Sequence, residues 1–193
     1  MKIKKFIKKI INTLLIKFGY SIVHNQHLLA LEKNLIVEEM SEEEKNLSNN
    51  VSKFTGTTAI PIWTLISAIK YVSEKKIEGD FVEAGVWKGG NITIYNELRK
   101  KYKLSNEIFA YDTFEGMPQP SKYDMNWKNV LGFTRYKMKA GDWCKCSLED
   151  VKKNILSISK SLNDIKFIKG LVENTLLIED NLPKKNFYSP IGY

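Results

Sequence analysis

Cysteine and histidine are scarce in this 193-residue chain, which has only Cys144, Cys146, His24 and His27. Two thiols one residue apart make neither a disulfide framework nor the four-ligand spacing of a zinc site, so a reducing compartment is expected. The histidines sit beside a polar stretch with no nearby partner ligand, which favours surface or packing roles over a metal pair. No run of roughly 18 apolar residues occurs and no small-residue cleavage site follows the N-terminal segment, so neither a spanning helix nor a secretory signal is expected. Internal repeats and low-complexity tracts are missing as well. Acidic residues are absent from the first 20 positions, where Lys2, Lys4, Lys5, Lys8, Lys9 and Lys17 fall.

That local excess accounts for most of the formal charge of +8, because the remaining chain carries 24 basic against 22 acidic residues. A nearly neutral body gives no reason to expect a nucleic-acid partner. The cluster Arg99 to Lys103 reads as a solvated helix end. With 43% apolar and 27% charged residues the chain is rich enough in apolar side chains to bury a core. One globular domain with a short appendage is expected.

Within the basic segment, Ile3, Phe6, Ile7, Ile10, Ile11, Leu14, Leu15 and Phe18 recur at three-four spacing with lysines on the other faces. This predicts an amphipathic helix over residues 1–20. Its apolar face could meet an anionic membrane surface through residues 1–18, or pack on its own domain or a second subunit. A cytoplasmic location follows, with peripheral contact at the inner face of the membrane as one form of it. Residues 21–56 are polar, with Glu38, Glu39, Glu42, Glu43 and Glu44 followed by Asn46, Asn49 and Asn50. A linker or a solvent-facing helical cap is expected there.

A regular domain is expected from residue 57, where Thr57 or Thr58 could cap a helix carrying Ile62, Leu65, Ile66 and Ile69 on one face. The pattern then alternates as in a parallel sheet wrapped by helices: a strand at Asp80 to Ala84, a glycine-rich turn, and a helix from about Ile92 to Lys103. A strand at Ile108 to Tyr111 ends on Asp112, a helix capped by Ser147 runs to about Ser159, and a third strand spans Lys166 to Lys169. The long stretch from Gly116 to Lys145, rich in Trp, Tyr and Met, reads as an ordered insertion near a site.

A strand carrying Glu83 and leading through Gly85 to Gly89 and Gly90 before a helix has the parts of a nucleotide-type cradle. Glycine permits tight turns and close approach, and the helix start offers free N–H groups. The same pattern also serves as a plain turn. Asp112 ends the neighbouring strand, where a carboxylate could accept hydrogen bonds from ribose hydroxyls or merely form a turn. The loop lacks the G-x-G-x-x-G spacing, which disfavours a nicotinamide enzyme.

Four ordered blocks, GDFVEAGVWKGG, YDTFEGMPQP, WCKCSLEDVKKNI and KFIKGLVENTL, resemble the macrocin O-methyltransferase family over roughly residues 57–183. The resemblance implies an α/β, Rossmann-like class I methyltransferase fold, here its first three strands with helices, preceded by the amphipathic helix. It implies S-adenosyl-L-methionine as donor and a sugar hydroxyl, on a glycan or a secondary metabolite, as acceptor. Glu83, Ala84, Gly85, Val86 and Trp87 would line the methionine end of the cofactor, and Gly89 would also belong to the cofactor-binding loop. Asp112 would hold the ribose, and Thr113, Phe114 and Glu115 would continue the wall toward the adenine. Ala84 and Leu171 depart from residues common in the family.

The family resembles magnesium-dependent enzymes, whose L-R-L-D-x-D strand and Asp-Asp pair would hold Mg2+ and the base. Those residues are not in this sequence, which reads KKNFYSPIGY after Pro183. With suitable synonymous codons, removing one adenine from the Lys-Lys-Asn run turns this tail into KKISILRLDT, close to the family strand. A frameshifted, truncated product of a longer gene is expected, with a naturally short protein of divergent end as the alternative; alone it is expected to be poorly stable and inactive in methyl transfer, with no catalytic or metal-binding residue of its own. Oligomerisation is open. The alternatives are a non-catalytic cofactor- or partner-binding module and a membrane-associated scaffold component.

Overall fold

The computed structural model describes residues 37–117 and 144–183, with isolated positions at 11, 15, 121 and 123. Of the basic segment only Ile11 and Leu15, both helical, are described, so its expected membrane or protein contact lies outside the described residues, as do most of the 116–145 stretch and the tail after Pro183. Among the described residues no helix is long and apolar enough to cross a membrane.

The acidic stretch before residue 57 forms helix α1, Glu42–Val51. Its start is fixed by a capping box: the Ser41 hydroxyl accepts from Glu44 N–H at 3.3 Å, and the Glu44 carboxylate accepts from Ser41 N–H at 2.8 Å. Glu44 also pairs with Lys70 at 2.5 Å across the helix interface. This helix does more than face solvent, because Val51 joins Val37 and Met40 in one apolar cluster with Ile62, Ile66 and Ile69. Those isoleucines belong to α2, Ala59–Glu74. Thr58 is its N-cap, yet the Thr58 side chain makes no capping bond. Instead the Thr55 hydroxyl accepts from Thr57 N–H at 3.2 Å and stabilises the turn just upstream.

Three strands follow, β1 (Phe81–Ala84), β2 (Ile108–Asp112) and β3 (Ile165–Lys169). They form one parallel sheet in the order β1-β2-β3, with Phe81 opposite Ile108 and Ile108 opposite Ile165. The central strand reads Ile-Phe-Ala-Tyr without alternation and is buried at all four residues, as expected for a parallel strand covered on both faces. Helices α3 (Gly90–Lys101) and α4 (Leu148–Ser159) make the two crossovers. Ile92 from α3 and Val151 and Ile155 from α4 cover Ile108 and Ala110 on one face, while Phe109, Tyr111 and Ile168 cluster on the other. Each such fully buried side chain contributes roughly 1.5–3 kcal/mol. The strands and α4 fall within one residue of their sequence-based bounds, and α3 starts two residues earlier.

A buried arginine locks the crossover ends together. Arg99, 7% exposed, donates to Asp164 at 2.9 Å, to the Asn163 carbonyl at 2.9 Å and to the Asn106 carbonyl at 3.2 Å. The expected solvated helix end is thus split: Lys101 pairs with Glu43 on the surface, whereas Arg99 turns inward. After β3 come a short helix α5, Val172–Thr175, and a 3-10 turn, Glu179–Asn181, which the Tyr111 hydroxyl ties to β2 by donating to the Asn181 carbonyl.

Candidate functional site

All three strands point their carboxyl ends at one edge, the place where open parallel sheets bind ligands. At that edge lies a cleft of about 460 Å3, walled by Ala84, Gly85 and Trp87 after β1, Asp112 and Thr113 after β2, and Leu171 and Glu173 after β3 among others. Its size falls in the range that holds a drug-sized molecule.

The turn after β1 is shaped by close packing. Gly89 caps α3 at φ 86°, a left-handed conformation that strains a side-chain-bearing residue. Gly90 is forced by space rather than by angle: a Cβ there would sit 2.8 Å from the Phe54 carbonyl oxygen. Trp87 also takes a left-handed φ of 48°, unusual for so large a residue.

Asp112 holds this conformation. One carboxylate oxygen, Oδ2, accepts from Val86 N–H at 2.7 Å and Trp87 N–H at 2.9 Å, and Oδ1 accepts from Phe114 N–H at 2.8 Å. Hydrogen bonds to a charged acceptor are about twice as strong as neutral ones. Three of roughly four acceptor positions are therefore taken by backbone. Asp112 is a clamp between the two strand-end loops, and little of it remains for a ribose.

Glu83 follows a different logic. It shares its strand face with Phe81, and Oε1 accepts from Asn91 Nδ2 on α3 at 2.9 Å. The other oxygen, Oε2, is buried with no hydrogen-bond partner. Burial pushes this carboxyl up to about 7, against the Asn91 hydrogen bond and with a smaller upward push from the Asp112 charge. Glu115 shows the reverse: on the exposed surface, its ion pair with Lys169 at 2.8 Å holds it below the usual carboxylate range.

Of the residues singled out in the sequence, Ala84, Gly85, Trp87, Asp112 and Thr113 meet on the cleft wall. Val86 and Phe114 are buried beneath it, with Phe114 edge-on to Phe167 at 6.3 Å between ring centroids. Gly89 caps the helix, Glu115 lies at the surface, and Glu83 lies behind the loop beside Asn91. Sequence reasoning missed Asn91, Tyr111, Gly170 and Glu173. Gly170 directly follows β3 and Glu173 lies in the short helix just after it, at the strand end equivalent to that of Asp112 on β2, and that equivalence of position was the available signal. Among the described residues, no group of three or more His, Cys, Asp or Glu side chains could hold a metal ion.

No curated protein matches the chain. Among solved structures, the O-methyltransferase NovP aligns at a TM-score of 0.51 and 19% identity, over 61% of this chain and 47% of that one. CalS11, a calicheamicin methyltransferase, aligns at a TM-score of 0.34 and 17% identity, over 68% of this chain and 59% of that one. The chain thus spans about half the length of the NovP chain, and the likeness to NovP is one of fold. The macrocin-O-methyltransferase (TylF) family model matches residues 12–183, nearly nine-tenths of the sequence. On that match the chain belongs to the macrocin-O-methyltransferase (TylF) family.

Proposed function

We propose that the cleft at the carboxyl edge binds S-adenosylmethionine and serves methyl transfer to a hydroxyl on a sugar, in a glycan or a secondary metabolite. The observation that carries this reading is the convergence of three strand ends on one cleft, with the turn after β1 clamped by Asp112. The residues present fit the donor. An amino-acid moiety brings an ammonium group; Glu83, on β1 behind the loop and bonded to Asn91 near the start of α3, has an unpartnered Oε2 whose ionised form a cation reaching it past the loop would stabilise. The Gly85–Trp87 turn gives a wall that a ligand can approach closely. Thr113 and the remaining lone pair of Asp112 Oδ1 lie where ribose hydroxyls would reach, so Asp112 acts first as the clamp and only second as a ligand. Phe114 and Val86 support the wall from below, and Glu115 with Lys169 borders it.

S-adenosylmethionine supplies a methyl group on a sulfonium, ready for displacement by an oxygen nucleophile. What this chain contributes is the shape of the donor cleft and the charge at one end of it. The magnesium ion expected from the resemblance finds no ligand set among the described residues. The unit that binds the donor takes in residues 37–56 as well as the domain from 57 onward, because α1 shares the α2 core.

Titration calorimetry with S-adenosylmethionine and S-adenosylhomocysteine tests the donor half of this reading. Saturable binding that weakens as the pH falls below about 7, where Glu83 takes up its proton, is the expected result. No binding of either ligand at any pH sinks it. Transfer of a labelled methyl group to a panel of sugar acceptors tests the second half, and binding without transfer to any of them rejects that half alone.

A further inference from the structure

Trp87 is the one large aromatic among the strand-end residues that wall the cleft after β1, and its environment already contains a cation. Lys88 Nζ stands 4.8 Å from the Trp87 ring centroid, within the range over which an aromatic face attracts positive charge. The ring is held rather than free to drift. Its backbone N–H is fixed on Asp112 at 2.9 Å, its left-handed φ of 48° sets the direction of the side chain, and Gly56 lies beside the ring, where an added Cβ would make ordinary contact with Cζ3 at 3.7 Å. Strained backbone of this kind persists only where surrounding contacts over-determine it, and it clusters at ligand clamps. A glycine at 87 would take this turn with less strain, so the tryptophan ring stands here at a conformational cost.

From these observations we infer that the Trp87 ring face recognises the positively charged sulfonium of the methyl donor, with Lys88 as the cation that occupies the ring when the donor is absent. This rests on the reading of the cleft as a donor site and adds to it a means of discrimination. Donor and product share the adenosine, the ammonium and the carboxylate, and differ in that the donor sulfur carries a methyl group and a positive charge. A ring that answers to that charge favours donor over product and helps the spent product leave. Lys88 opposes the donor twice, by covering the ring and by repelling the sulfonium.

The test is the ratio of affinities for S-adenosylmethionine and S-adenosylhomocysteine, measured by calorimetry on the full chain. Trp87→Leu is expected to weaken donor binding about tenfold while product binding changes less than about threefold, since cation–π attraction in a partly desolvated site has that order of effect. Retained product binding shows that the cleft is still formed. Lys88→Met is expected to move the ratio several-fold the other way. If Trp87→Leu does not fold, Trp87→Phe and Lys88→Met still read the ratio in opposite directions, downward and upward. A ratio unmoved in the variants that fold overturns the proposal. Absence of binding by the unmutated chain to both ligands instead defeats the donor-site reading beneath it.

Discussion

Two carboxylates 29 positions apart in sequence, Glu83 and Asp112, stand at adjacent strand ends with opposite tasks, and the difference lies in their hydrogen bonds. Asp112 has three of its roughly four acceptor positions filled by backbone amides. Replacing it with Asn leaves a single acceptor oxygen and no charge, so Asp112→Asn should cost about 2 kcal/mol or more and loosen the Trp87 turn; chemical denaturation and donor binding should fall together. Glu83 keeps one oxygen without a partner, and its folded-state value of about 7 lies above the ordinary 4.5. The folded chain therefore holds this proton more tightly than the unfolded chain does. The associated stability is fully present below pH 4.5 and is lost as pH rises to 7. Glu83→Gln removes that dependence, so unfolding curves should show the unmutated chain losing at most about 3 kcal/mol relative to the variant across that window. A parallel pH response in both proteins would contradict the assignment. Neither task was visible in the residue types, because Asp112 as ribose ligand and Asp112 as clamp look identical in sequence.

Helices and strands were largely legible, because their signals are local. The apolar run Ile108–Tyr111 read as a strand, which the structure shows to be buried, and Ser147 before Leu148 marked a helix start that its hydroxyl confirms by accepting from Asp150 N–H at 3.1 Å. Ser147→Ala should therefore cost about 1 kcal/mol, read as a lowered unfolding midpoint. At the other end of the same rule, Thr58 sits in the capping position without making the bond, since the neighbouring Thr55 hydroxyl fixes the turn instead. Helix α1 was the least legible element. Its polar composition suggested solvent, but Glu44 is buried at 3% exposure against Ser41 and Lys70, a pairing between elements that no local pattern announces. Gly90 shows the same limit: its need for a missing side chain comes from Phe54, 36 positions earlier. Gly90→Ala should force α3 away from that carbonyl and cost about 1–3 kcal/mol, measurable by thermal unfolding.

For the molecule as a whole, the uneven covering of the sheet has the clearest consequence. The face packed by α3 and α4 is closed, whereas Val82 on strand β1 is 47% exposed beside an apolar groove of about 500 Å3 that Ile69, Val72, Ile77 and Phe81 help to line. Leu177 and Ile178 add further exposed apolar surface, at 84% and 53%. Edge strands and apolar patches of this kind promote association. Val82→Lys together with Leu177→Glu should reduce concentration-dependent self-association in sedimentation velocity while leaving the unfolding midpoint nearly unchanged, since neither side chain is buried. By itself the sequence determined the order and type of the three strands and of α2, α3 and α4, the carboxyl edge where a ligand would sit and, through four ordered blocks, the family, because strand runs, caps and turn glycines act over a few residues. Only the tertiary structure decided which carboxylate is a clamp and which is left unpartnered, that Arg99 is buried, that α1 belongs to the core, and that the Lys88 ammonium stands over the ring of the cleft residue Trp87. Those outcomes depend on contacts between segments distant in the chain and on which atoms burial leaves without water, and neither quantity exists until the chain has folded.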